Sequence, residues 1–125
     1  MKPYALMLLL AVAPAAHAAQ PFTAERSWEI QRIGNPEVSP DGKYIVAPVS
    51  RAAMAEDKLL TDLWLWTSDG SVQRPLTGDP AAEATPRFSP DGRTLAFIAQ
   101  RDDDKTPQLY LMPIAGGEAD RKSVV

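Results

Sequence analysis

Apolar residues along this chain recur mostly every second position, in short runs set apart by polar turns. From Lys43 to Ser50, Tyr44, Val46 and Pro48 fall on one side and Ile45, Ala47 and Val49 on the other. Both sides are apolar, so this run reads as a strand covered on both faces. Asp62–Thr67 is rich in β-formers and reads as a further strand. Ser68-Asp69-Gly70-Ser71 is a hairpin turn, and Val72–Thr77 is the strand after it. The pattern then recurs. Thr94–Gln100 alternates Leu95, Phe97 and Ala99 with Thr94, Ala96 and Ile98, and Gln108–Met112 matches Asp62–Trp66. Glu37–Ser39 and Arg87–Ser89 are short strands, and Arg51–Leu60 and Arg101–Pro107 are connecting loops. Ahead of all this, Phe22–Arg32 predicts a short helix with Thr23 as N-cap and Gly34 in the C′ role.

The recurrence is anchored by one motif. Pro36-Glu37-Val38-Ser39-Pro40-Asp41-Gly42-Lys43 and Pro86-Arg87-Phe88-Ser89-Pro90-Asp91-Gly92-Arg93 share the pattern Pro-x-apolar-Ser-Pro-Asp-Gly-basic, fifty residues apart. Pro presets φ for the turn, Asp caps it locally, and Gly takes the φ > 0 position. Ser39, Pro40, Asp41, Gly42, Ser89, Pro90, Asp91 and Gly92 therefore read as structural turn residues. Beyond the loop that follows, the offset falls from 50 to 46. A length change confined to a loop, with strand spacing kept, is the mark of a true repeat.

Four short strands in about 45 residues match one blade of a β-propeller. The expected fold is all-β: a partial propeller of about two four-stranded blades, 35–80 and 81–125, the second incomplete. A lead-in helix over 19–34 precedes them, and a cleaved signal peptide over 1–18 precedes that. The leader is read from Lys2, the apolar run Tyr4–Ala16 and the Ala16-His17-Ala18 cleavage pattern. That run is short of the roughly 20 apolar residues of a membrane span. Export to the periplasm or the extracellular space follows from it. At the other end, Lys122 stands where the first unit has the apolar Leu76. A ring needs about four to eight blades, so the chain reads as the amino-terminal fragment of a larger exported protein.

Composition narrows the chemistry. The chain has no Cys, so no disulfide framework is available. Its net charge of −3 is interspersed and offers nothing basic enough for nucleic acid. The single His, His17, lies in the leader. No G-x-S-x-G nucleophile elbow is present. With neither that elbow nor a His beyond the leader, no catalytic residue is assigned; no cofactor or metal is expected either. Asp102-Asp103-Asp104 has the charge for a hard cation but lacks the Gly and distal Glu of a loop site. It reads as a solvated loop. Trp64 and Trp66 share one strand face. Packing between blades is expected of them, with a stacking platform for sugar or peptide as the alternative.

The Pro-x-apolar-Ser-Pro-Asp-Gly-basic repeat resembles the propeller repeat of the translocation protein TolB, and equally that of the prolyl oligopeptidase family of serine peptidases. Phe22-Thr23-Ala24-Glu25, followed by Ile30-x-x-Ile33-Gly34-x-Pro36-x-Val38-Ser39-Pro40-Asp41-Gly42, resembles the amino-terminal lead-in of that family's dipeptidyl and acylaminoacyl peptidases. The resemblance runs from about Phe22 to Glu118. It implies a propeller that limits peptide access to a carboxy-terminal α/β-hydrolase domain, which this sequence does not include. The implied partners are a peptide substrate and that hydrolase domain. The alternative is a TolB-like scaffold for protein binding in the cell envelope, without catalysis.

Overall fold

The computed structural model describes residues 21–101, 104–117 and the backbone of 120–121. The expected leader and Lys122 lie outside the described residues. Two antiparallel sheets form. The first orders β1 (Arg32–Ile33), β3 (Tyr44–Ala53), β4 (Lys58–Thr67) and β5 (Gln73–Pro75), and β2 (Glu37–Val38) also pairs with β3. The second orders β6 (Glu83–Phe88), β7 (Thr94–Ala99), β8 (Gln108–Pro113) and β9 (Asp120–Arg121). Each sheet is one blade of the repeat.

Register confirms that the repeat is structural. Ala47 lies opposite Trp64 in the first blade and Phe97 opposite Tyr110 in the second. Ile33 lies opposite Val49, and Glu83 opposite Ala99. The core is the seam between the blades. Val46, Leu63 and Leu65 of the first pack on Leu95, Phe97, Ala99, Tyr110 and Met112 of the second. Successive strand residues alternate faces, so the opposite face of the first blade carries Ile45, Ala47, Val49, Trp64 and Trp66. The expected packing of both tryptophans between blades is therefore not made at this seam, where Leu63 and Leu65 stand instead. The tryptophans stack on each other, ring centroids 6.2 Å apart.

Several boundaries differ from expectation. The helix is one turn, α1 (Ala24–Ser27), with Thr23 as its N-cap accepting from the Arg26 amide. Arg32 and Ile33 leave it to join the sheet, so Gly34 ends no helix. Its amide donates to the Pro48 carbonyl at 2.7 Å, and an added Cβ would meet the Pro48 ring at 3.3 Å. Arg51–Leu60 is not a loop. The β3–β4 ladder runs unbroken to the Ala53–Lys58 pair, closed by a 3-10 turn over Met54–Glu56. Strand β6 starts at Glu83, ahead of the expected Arg87. It bulges between Ala84 and Arg87, where Thr85 has φ 56° and Pro86 is buried. Pro lacks an amide to give to the ladder, so it suits a bulge. Pro36 occupies the equivalent place between β1 and β2.

Candidate functional site

The two motif corners fold identically. The Ser39 hydroxyl donates to Asp41 Oδ1 at 2.7 Å and accepts from the Tyr44 amide at 2.9 Å. Asp41 Oδ1 accepts from the Lys43 amide at 3.1 Å. In the second blade Ser89, Asp91, Arg93 and Thr94 repeat these bonds at 2.6, 3.0 and 3.0 Å. Gly42 and Gly92 take φ of 71° and 70°, the left-handed region. Pro40 and Pro90 lead the turns at the surface. The serine hydroxyl is the main cause holding each exposed aspartate below the usual carboxylate range, followed by the amide two residues on. The serine hydroxyl and the aspartate Oδ1 of each motif are thus engaged in their own turn.

The corners also meet across the seam. Arg87 pairs with Glu37 at 2.9 Å, joining equivalent positions of the two blades. A Cβ added at Gly92 would lie 3.4 Å from the Pro40 ring.

A buried polar cluster lies at the other end of the seam, and sequence reasoning missed it. Glu83 is wholly buried and is bound by the Arg101 guanidinium. Arg101 also lies 3.7 Å from Asp79, which belongs to the connection between blades. Its guanidinium carbon sits 4.7 Å from the Tyr110 ring centroid and 5.5 Å from that of Phe97, within cation–π range. Burial pushes the Glu83 carboxyl above its usual range, against the Thr77 hydroxyl and Arg101, which both favour its ionised form. Asp62, near Asp79, is likewise raised by burial, with Arg51 opposing. The Thr77 hydroxyl accepts from the Leu63 amide at 2.9 Å, so the first blade is tied in.

Asp104 corrects the expected solvated loop. It is buried, and it accepts from the Tyr110 hydroxyl at 2.8 Å and the Arg101 amide at 3.2 Å. Asp102 and Asp103 lie outside the described residues. Among the described residues, no group of three or more His, Cys, Asp or Glu is placed to hold a metal ion. The cluster pairs carboxylates with one guanidinium, and the hydroxyls beside them, of Thr77 and Tyr110, are held in hydrogen bonds. Its chemistry is to bind two blades and their connection together. A signal for it existed in the sequence: repeat alignment places Glu83 on the apolar Ile33, and a charge at an apolar repeat position implies a buried partner.

Stacked antiparallel sheets, in which β1 and β2 together stand against β3 as β6 stands against β7, with a repeated corner define the class, part of a β-propeller. Comparison with solved structures agrees. The propeller domain of the trilobed protease of Pyrococcus furiosus aligns with a TM-score of 0.59 at 16% identity, over 73% of this chain and 27% of that one. A TolB protein from Agrobacterium tumefaciens aligns with a TM-score of 0.57 at 25% identity, over 72% and 32%. No family model matches the sequence. Among curated proteins, the uncharacterized peptidase YuxL of Bacillus subtilis is 35% identical over 98 residues, 78% of this chain and 15% of YuxL. Dipeptidyl-peptidase 5 of Porphyromonas endodontalis is 34% identical over 105 residues, 77% of this chain and 15% of that protein. The chain therefore matches the propeller region of prolyl oligopeptidase family peptidases, with TolB propellers alongside. It spans about 15% of the length of these curated relatives.

Proposed function

We propose that this chain supplies the first blades of the propeller of an exported serine peptidase of the dipeptidyl/acylaminoacyl type. In that reading the propeller limits entry of peptides to an α/β-hydrolase domain outside this sequence. The observation that carries it is the 35% identity to a peptidase over 98 residues, 78% of this chain. The motif residues Ser39–Gly42 and Ser89–Gly92 act as blade corners, and these residues carry out no hydrolysis. The second reading, a TolB-like binding scaffold, rests on the likeness to the Agrobacterium TolB structure.

The DNA after the Val125 codon separates the two. A G-x-S-x-G and a later His, in any frame, support the peptidase. Further Ser-Pro-Asp-Gly repeats followed by a stop support the scaffold. The purified chain is expected to release no product from chromogenic dipeptide or acyl-amino-acid substrates. Turnover abolished by a serine-directed inhibitor overturns the assignment of these residues as non-catalytic.

A further inference from the structure

Each blade returns the chain to the end at which it entered. In the first, β2 runs to the Ser39–Lys43 corner and β3 runs away from it. β4 comes back beside the corner, where the Ser68 amide donates to the Lys43 carbonyl at 2.9 Å, and β5 runs away again. The second blade repeats the path, the Ile114 amide donating to the Arg93 carbonyl at 2.9 Å. The lead-in, the β3–β4 turn and the connection between blades therefore share the end opposite the corners. A chain leaving further blades of this kind emerges at that same end. The two ends differ in chemistry. The corner end is built of the Ser, Asp, Gly and basic residues of the motif turns. The opposite end carries Phe22, Trp28, Ile30, Met54 and Leu59, from 52% exposed at Ile30 to 70% at Phe22. These five are contiguous. Trp28 and Leu59 line one hollow with Met54 and an adjoining one with Ile30, and Ile30 lines a third with Phe22.

Blade stacking does not cover this surface. Alternation along β3 and β4 puts Ser50, Ala52 and Leu59 on the face that carries Val46, Leu63 and Leu65 at the seam. The blade stacked on that face is the second one, and its hairpin has six pairs against ten in the first. The extension thus projects past its neighbour, and among the described residues none of the second blade lines the three hollows. A contiguous exposed apolar surface marks an interaction site, and Trp, Phe and Met are enriched where such interfaces are most buried. We propose that this end of the first blade is the docking surface for the α/β-hydrolase domain that follows the last blade, with Trp28, Met54 and Leu59 at its centre. The proposal rests on the peptidase reading above. Two separate observations choose this end: the chain leaves its blades here, and the exposed apolar side chains of the lead-in and the β3–β4 extension gather here. A domain joined to the ring at this end reaches the surface without crossing a blade.

The complete product of the gene tests it. These 125 residues contain no Cys, so a single cysteine placed among them reports its own position, quantified by mass spectrometry of the labelled peptide. Met54→Cys and Leu59→Cys are expected to react with maleimide at least about tenfold more slowly than Lys43→Cys at the exposed corner end. A photo-reactive p-benzoylphenylalanine at position 54 or 59 should cross-link to sequence after the last blade. Peptide hydrolysis is measured on the same preparations. An active enzyme whose cysteines at 54 and 59 react as fast as the one at 43 overturns the docking surface and leaves the peptidase reading standing. So do cross-links that fall in another blade, in a second copy or in residues before Phe22. A gene product with no α/β-hydrolase sequence after its blades overturns the peptidase reading, and the docking surface with it.

Discussion

At the scale of single residues, the fold depends on a few side chains with no freedom of choice. Ser39 is buried and bridges the two ends of its turn through one hydroxyl. Ser39→Ala removes both bonds and is expected to cost about 1–2 kcal/mol, read as a lower urea midpoint with unchanged slope. Glu83 and Arg101 are a different case. Arg101→Ala leaves a buried carboxylate without its cation and is expected to cost about 3–5 kcal/mol. The double change Glu83→Leu with Arg101→Met should cost clearly less, because no lone charge remains. A larger loss in the double variant than in Arg101→Ala contradicts this account of the cluster. Acid titration separates two carboxylates of opposite behaviour. The Thr67 hydroxyl, then the Ser71 amide and hydroxyl, hold the exposed Asp69 carboxyl down at about 2. Its contribution is complete above the unfolded value of 3.8 and is lost as pH falls from there toward 2. Glu83 runs the other way. Its folded value lies above 4.5, so its protonated form favours the native state and stability declines as pH rises through that window. Unfolding midpoints against pH should lose their acid-side fall in part in Asp69→Asn, and their decline above pH 4.5 in part in Glu83→Gln.

At the scale of elements, the strands were legible wherever alternation met a turn motif. Tyr44–Val49, Thr94–Ala99 and Gln108–Met112 needed only the period of two and a Pro-Asp-Gly or Gly-Gly corner. What was illegible was pairing decided by a partner strand. Ala52, Ala53 and Leu59 have no clear alternation, yet they extend a ladder because β3 and β4 are already in register beside them. Arg32-Ile33 has helical neighbours, but its amides and carbonyls find β3 first. The bulge at Pro86 was hidden because proline argues against a strand until a bulge removes the demand for its amide. The cluster at Glu83 escaped for a related reason, since its arginine lies in a loop 18 positions away. The packing between elements has its own test. Phe97 is fully buried at the seam, and Phe97→Ala is expected to cost about 3–5 kcal/mol, enough to abolish cooperative thermal unfolding by calorimetry. Leu59→Ala, on the exposed extension of β4, should shift the midpoint little.

At the scale of the whole molecule, one internal seam carries most of the burial among the described residues. That seam is asymmetric, offering one face and receiving another, and this is what lets blades be added in series. Among the described residues no helix is long and apolar enough to cross a membrane. Repeat proteins of this kind gain stability from each neighbour interface. Adding further blades in cis is therefore expected to raise the unfolding midpoint. Thermal unfolding of the chain extended by a third blade checks this, and a midpoint no higher than that of the two blades alone counts against it.

The unequal hairpins have a consequence in time. In the first blade only Met54–Asp57 separates the paired ends of β3 and β4, and the ladder they close is ten pairs long. In the second, residues 100–107 intervene before six pairs can form. Contacts that close short loops form first, and a hairpin forms in roughly 1–10 μs. Synthesis proceeds at about 5–20 residues per second. The first ladder can thus assemble on the nascent chain seconds before the second repeat is complete, and then serve as the surface on which Phe97 and Tyr110 condense. Mutations near Ala53 and Lys58 should accordingly slow folding, while mutations in β8 should chiefly speed unfolding.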